Sequence, residues 1–163
     1  HNNYLSRSLF LGRIIVLTLL MAFTAISCDD EDEVNRQNIV QLAQGNTNLS
    51  SLVQALTKFP DLVTTLSASG NFTVFAPDNA AFDDLLNFLE LESVDEIPEE
   101  ILRDVLEYHV IASAKLKANQ LQSQSYATVN GESIVVAVSG AGVVINGSTN
   151  VTTADVEASN GVV

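Results

Sequence analysis

Asp78 carries a carboxylate whose type and position could support chemistry. It lies in the stretch NFTVFAPDNAAFDDLL, residues 71–86, where an apolar segment runs through a proline into a segment with helical spacing. A catalytic carboxylate needs a partner base or a metal-ligand set, and none is local. An aspartate directly before a helix accepts hydrogen bonds from first-turn N–H groups, here those of Ala80 or Ala81. The stretch therefore predicts that Asp78 is a structural cap.

His109 is the natural candidate for acid–base or metal chemistry, because the only other histidine is the first residue. Its spacing from Leu102, Val105 and Leu106 places it on the apolar stripe of a helix, where a hydrogen-bonded core histidine is favoured. One histidine without neighbouring carboxylates makes a weak metal site. We predict neither a catalytic nor a metal-binding role for it.

A group of acids follows Asp78 and could suggest calcium. Its members are Asp83, Asp84, Glu90, Glu92, Asp95 and Glu96. Their spacing does not match the Asp-x-Asp-x-Asp-Gly pattern of a calcium loop, and a solvated helix face with its connecting loop is favoured. The alternative is an envelope carbohydrate-active or calcium-dependent carbohydrate-binding protein that uses the acidic loop 90–100.

Motifs of several enzyme classes are missing from the sequence. No Walker glycine-lysine loop and no Gly-x-Ser-x-Gly elbow occur, and Gly140-x-Gly142 lacks the third glycine of a dinucleotide fingerprint. We therefore predict no cofactor and no enzymatic activity. The formal charge of −13 also disfavours nucleic acid as a partner.

The N-terminal residues 1–27 have the layout of a signal peptide. Arg7 and Arg13 precede an uncharged run, residues 14–25, that is too short to span a bilayer. Small residues then stand before Cys28, the only cysteine, in an arrangement that resembles the lipobox of bacterial lipoproteins. The resemblance implies cleavage before Cys28 and a membrane anchor through a diacylglycerol on its thiol. The other interpretation is a free thiol after an uncleaved segment.

Residues 28–37 are predicted to be a tether that carries the lipid. Five consecutive acids, residues 29–33, follow Cys28, and a like-charge block of this kind stays solvated. The block also resembles the acidic export signal of surface lipoproteins of the Bacteroidetes group. Removal of residues 1–27 takes the formal charge to about −15, so membrane attachment would rest on the lipid.

Residues 38–163 are predicted to form one α+β domain that is helical in its first half. Apolar spacing predicts helices over 48–58, 61–67, 78–89 and 98–108. A strand is predicted at 72–76, between the second and third helices. In the second half, Asn130-Gly131 predicts a hairpin between strands 126–129 and 133–139, with further strands at 143–145 and 151–158. By pattern alone, this half is a β-meander.

Three segments of the domain carry a family resemblance. Residues 71–82 closely resemble the first conserved motif of the fasciclin (FAS1) family. Residues 106–111, LEYHVI, are similar to its central Tyr-His segment, and residues 144–163 are similar to its second motif. The resemblance covers most of a single domain, from about residue 38 to the end.

The resemblance implies a fold, a candidate motif and a function. The implied fold is a β-wedge packed with helices, and the family's second motif continues into a strand that is missing here, which predicts C-terminal truncation. Tyr108 and His109 become a candidate adhesion motif. The predicted function is a non-enzymatic adhesion or binding module at the cell envelope, lipid-anchored to the outer membrane on its periplasmic or outer side. It would recognise an extracellular protein or glycan.

Overall fold

The structure is a computed structural model that describes residues 36–163. The helices are α1 (Ile39–Gln44), α2 (Ser50–Thr57), α3 (Pro60–Ser67), α4 (Asn79–Leu89) and α5 (Glu99–Tyr108). The strands are β1 (Phe72–Val74), β2 (Val110–Ile111), β3 (Gln124–Ala127), β4 (Ser133–Ser139), β5 (Gly142–Ile145), β6 (Thr149–Asn150), β7 (Glu157–Ala158) and β8 (Gly161–Val162). Thr47–Leu49 and Val94–Glu96 are short 3₁₀ turns. The predicted α+β class is confirmed.

Four of the helices form where the apolar spacing predicts them, and α1 was not predicted. The helix predicted over 48–58 consists of the first 3₁₀ turn followed by α2, which buries Leu52 and Leu56. Pro60 ends that segment and is also the first residue of α3, where its missing N–H is no loss. The helices pack their apolar faces on one large core that also includes Phe72 and Val74 of β1.

The strands form two sheets rather than one meander. The first sheet has the order β3-β4-β5-β6 and is antiparallel throughout. The second has the order β2-β1-β8-β7, and within it β1 and β8 run parallel, with Phe72 opposite Gly161. The predicted meander therefore ends at β6, because β7 and β8 leave it to pair beside a strand from the first half of the chain.

The strand predicted over 151–158 is wrong for most of its length. Only Glu157 and Ala158 form a strand, β7, and Val156 before them exchanges two backbone hydrogen bonds with Val163. Val151 still donates its N–H to Val143 at 2.9 Å, but Asp155 has a φ of 64°. A left-handed residue at that point turns the chain out of an extended path. The segment therefore crosses from one sheet to the other as a loop.

The hairpin predicted at Asn130-Gly131 joins β3 to β4. Gly131 has a φ of 89°, which glycine adopts without a Cβ clash, and Asn130 Oδ1 accepts the N–H of Glu132 at 3.0 Å. This pairing brings Ile134 and Val136 of β4 into a second core with Val143 and Ile145. The meander thus has its own apolar layer.

Several predictions lie outside the described residues. The signal peptide 1–27, the lipid on Cys28 and nearly all of the tether 28–37 fall there, and the missing closing strand also stays a prediction. Within 36–163, no helix is long and apolar enough to cross a membrane.

Candidate functional site

Asp78 occupies the N-cap position of α4. Its backbone is extended, and its Oδ1 accepts a hydrogen bond from the N–H of Ala81 at 2.9 Å. The side chain of Asp78 is exposed. The next residue, Asn79, also has a structural role. Asn79 Oδ1 accepts the N–H of Ser51 at 3.0 Å, and its Nδ2 donates to the carbonyl of Thr47 at 3.0 Å. This junction therefore ties α4 to the start of α2.

Asp78→Ala is expected to lower the free energy of unfolding by about 1 kcal/mol, because the N–H of Ala81 loses its acceptor. Asp78→Ser is expected to keep nearly all of the stability, because a serine hydroxyl can accept the same bond. Urea denaturation of both variants measures the difference. Equal losses from the two substitutions would contradict the capping role.

Tyr108, at the end of α5, connects the helical layer to the meander. Its hydroxyl donates to the carbonyl of Ser133 at 3.3 Å and accepts from Asn146 Nδ2 at 2.8 Å. Asn146 has a φ of 49°, and its Oδ1 accepts the N–H of Val135 at 2.9 Å. Ser133 is the first residue of β4, and Asn146 directly follows β5. Tyr108 is therefore held by the scaffold and is not a freely projecting side chain.

His109 follows directly at the C-cap of α5 and is mostly buried. Its Nδ1 lies 2.6 Å from the carbonyl of Val105, and because a carbonyl only accepts, Nδ1 carries the proton. Burial lowers the pKa of His109 from its ordinary value, and the hydrogen bond to Val105 offsets only part of this. The ring is therefore neutral at pH 7, with Nε2 as its acceptor. It meets the Tyr108 ring edge to face, with the centroids 5.9 Å apart.

Tyr108 and His109 both line a groove between the two sheets. The groove has a volume of about 430 Å³ and is walled mainly by apolar side chains such as Phe75, Leu121 and Ile145. No described residue places a serine or cysteine nucleophile in hydrogen-bond contact with His109. The chemistry available here is therefore hydrogen bonding and apolar contact, which suits binding.

The acids of the 90–100 loop are held apart by separate contacts. Asp95 pairs with Lys58 at 3.3 Å and accepts from Gln54 at 3.1 Å, and Glu96 accepts from the hydroxyl of Ser93 at 3.0 Å. Within residues 36–163, no group of three or more histidine, cysteine or acidic side chains could hold a metal ion. The geometry of the described residues thus lends no support to the calcium-dependent alternative.

Sequence reasoning missed two buried polar residues that connect distant parts of the fold. Asn160 binds backbone groups of Ile39, Leu66 and Ala68. Thr73 donates to the carbonyl of Ala114 at 2.7 Å through the same hydroxyl that accepts the N–H of Leu116. Nothing in the local pattern distinguishes these two residues from other Asn and Thr residues of the chain. Their partners are 41 or more residues away.

Comparisons of this chain with protein-family models and with known proteins indicate one family. The model of the family described as Fasciclin domain matches residues 47–163. Protein sll1483 of the cyanobacterium Synechocystis is 43% identical over 126 residues, which cover 77% of this chain and 68% of that protein. A second Synechocystis protein, sll1735, is 34% identical and is covered over 91% of its length.

More distant relatives are much longer than the matched region. Human periostin is 28% identical over 77% of this chain, but the match covers only 15% of periostin. The solved structure of a FAS1 domain pair from the insect cell adhesion molecule fasciclin I superposes with a TM-score of 0.63 at 22% identity. That match covers 77% of this chain and 48% of the insect chain, and at this identity it establishes the fold alone. The Bacteroidetes-like character of the segment after Cys28 stays a prediction.

Proposed function

Since this chain belongs to the fasciclin (FAS1) domain family, we propose that it is a non-enzymatic adhesion or binding module of the cell envelope. It would be anchored to the outer membrane through a lipid on Cys28 and would dock an extracellular protein or glycan through its surface. The mechanism is recognition without covalent chemistry. The fold likeness to an insect cell adhesion molecule supports this proposal, although adhesion is stated of that protein alone.

The observation that carries the proposal is that the polar side chains that could have been reactive form hydrogen bonds with the scaffold. Asp78 caps α4, Tyr108 joins α5 to the meander, and the Nδ1–H of His109 donates a hydrogen bond to the carbonyl of Val105. A nucleophile and its general base need to lie within hydrogen-bond reach of each other, and these three side chains instead bind scaffold groups. The proposed function therefore depends on the surface of the domain.

The lipid anchor is the part of the proposal that a single substitution tests. Cys28→Ser is expected to move the protein from the membrane fraction to the soluble fraction of a lipidating bacterium, because serine has no thiol for the diacylglycerol. Cells with this variant are also expected to lose adhesion to surfaces coated with matrix protein or polysaccharide. Fractionation followed by immunoblotting, together with a cell-attachment assay, measures both effects.

Ser27→Ala is the matched control, since it replaces one small residue with another directly before the cysteine. It is expected to stay in the membrane fraction and to support attachment as the parent does. Unchanged membrane fractionation of Cys28→Ser would contradict lipid anchoring. Equal attachment of cells with and without the parent protein would contradict the adhesion function.

A further inference from the structure

Three of the basic residues gather at one place in an otherwise acidic domain. Five of the chain's seven basic residues lie within 36–163, against fifteen acids. Arg36 Nη1 lies 3.0 Å from Glu157 Oε2, and Lys117 pairs with the other oxygen of the same carboxylate. Lys115 Nζ donates to the carbonyl of Ala158, the next residue, at 3.0 Å. Glu157 thus pairs with two cations, and Lys115 beside it adds positive charge that no ion pair among the described residues neutralises.

Lys115 presents this excess charge to a pocket of its own. The pocket has a volume of about 490 Å³ and lies where the end of α3 meets the turn before β8. Of the side chains that line it, Lys115 is charged, and none is acidic. Only one of its three ammonium hydrogens is needed for the carbonyl of Ala158, so two can bind a ligand.

The other walls of the pocket are small polar groups. Ser67, Ser69, Asn71 and Ser159 contribute hydroxyl and amide groups, and the first three side chains are exposed. Among residues 36–163, no hydrogen bond engages the side chains of Ser67, Ser69 or Asn71. These groups are therefore available to hydroxyl or carboxylate oxygens of a ligand.

This lining favours a sugar over a peptide or a nucleic acid. Interfaces with peptides gain affinity from apolar and aromatic anchors, and the lining of this pocket includes no large apolar side chain. Nucleic acid requires several neutralised phosphates, whereas the pocket offers one lysine. Hydroxyl-rich sugars suit small hydroxyl and amide groups, and a single carboxylate suits a single ammonium.

We infer that this pocket binds an acidic oligosaccharide, with a uronate carboxylate against Lys115 and sugar hydroxyls against Ser67, Ser69 and Asn71. The inference rests on the proposed function, because it names the partner class of the binding module. It places the recognition surface beside β7 and β8, in a pocket that shares no lining residue with the groove of Tyr108 and His109.

The test is calorimetric titration of the full chain, purified in a non-ionic polyoxyethylene detergent, with trigalacturonic acid. Its methyl ester keeps the shape and hydroxyls of the sugar but removes the charge, and it is expected to bind at least about tenfold more weakly, equivalent to about 1.4 kcal/mol. The affinity is also expected to fall as salt is raised from 50 to 500 mM, since the contact is a partly exposed ion pair. Hexaglutamate is expected to bind no better than the ester.

Two variants locate the site. Lys115→Gln is expected to weaken binding about tenfold, as for the loss of a charged hydrogen bond. Because Lys115 also holds a backbone carbonyl, Ser69→Asp provides a second variant, which adds a repelling charge at an exposed serine and is expected to weaken binding by a similar factor. Ala141→Asp adds the same charge in the β4–β5 turn and is expected to change the affinity by less than about twofold.

Four results would overturn the inference. The first two concern the ligands: trigalacturonic acid binds no more tightly than its methyl ester, or hexaglutamate binds as tightly as trigalacturonic acid or more tightly. The other two are equal losses of affinity from Ser69→Asp and Ala141→Asp, and no detectable binding of trigalacturonic acid. The measurement requires neither lipidation nor attachment to cells. If Cys28→Ser cells lose attachment but the purified parent protein binds no sugar, this site is rejected and the proposed function stands.

Discussion

Asn160→Ala is expected to lower the free energy of unfolding by about 3 kcal/mol, a loss that is large for a single polar substitution. Asn160 is 3% exposed. Its Nδ2 donates to the carbonyls of Leu66 and Ala68 at 2.7 and 2.8 Å, and its Oδ1 accepts the N–H of Ile39 at 3.1 Å. Urea denaturation gives the loss as a lower midpoint at an unchanged slope.

The loss is large because the three backbone partners have no substitute. The first N–H groups and the last carbonyls of a helix find no partner inside the helix itself. Ile39 begins α1, and Leu66 lies in the last turn of α3, so one buried amide serves the ends of two helices. Alanine would leave the N–H of Ile39 and the carbonyl of Leu66 buried and unpaired, and each buried unpaired group costs about 1–3 kcal/mol.

Asn119→Ala is the matched control for this prediction. Asn119 is exposed, in the turn after Lys117, and the substitution is expected to change stability by less than about 0.5 kcal/mol. Equal effects at Asn119 and Asn160 would contradict the role assigned to the buried amide.

Asn160→Asp tests the direction of the hydrogen bonds. Its carboxyl group could still accept from Ile39, but its second oxygen would face two carbonyls and could donate only when protonated. Its pKa would therefore rise above the ordinary value of about 3.9, so that the folded state would bind more protons than the unfolded chain. The stability of this variant relative to the parent is then expected to fall as pH rises above about 4. A pH-independent difference would contradict this assignment.

Gly161→Ala is expected to destabilise the domain by about 2–3 kcal/mol through a steric clash. A Cβ at this position would lie 2.5 Å from the backbone oxygen of Phe72 and 2.6 Å from Cδ1 of Ile39. Gly161 is paired with Phe72 between the parallel strands β8 and β1, so relief of the clash requires the two strands to separate. The backbone of Gly161 is not left-handed, so the lost stability would come from packing alone.

Gly140→Ala is the matched control, because a Cβ there meets nothing within 4 Å and its backbone is not left-handed either. It is expected to be neutral or to raise the free energy of unfolding by up to about 1 kcal/mol, since alanine restricts the unfolded chain. Thermal and urea unfolding of both variants measure the contrast. Similar changes in stability from the two substitutions would contradict the close approach of β1 and β8 at Gly161.

Two predictions that depend on neighbouring residues agree with the structure. The helix starting after Asp78 and the hairpin at Asn130-Gly131 each depend on a few adjacent residues, whose local geometry the residue types restrict. The strand predicted over 151–158 is wrong because its β-branched residues are interrupted by Asp155 in a left-handed conformation. Aspartate is one of the non-glycine residues that adopt this conformation more readily, and its type alone does not reveal when it will.

The sequence alone was sufficient to predict the α+β class, the main helices, the hairpin, the Asp78 cap and the resemblance to the fasciclin family, because these follow from local periodicity and short motifs. Only the tertiary structure revealed that β8 pairs parallel to β1, that Asn160 reaches Ile39 from 121 residues away, and that Arg36 and Lys117 meet at Glu157. Pairing over such separations is selected by the packing of the whole chain. For that reason, the candidate sugar pocket beside Lys115 has no counterpart in any local pattern.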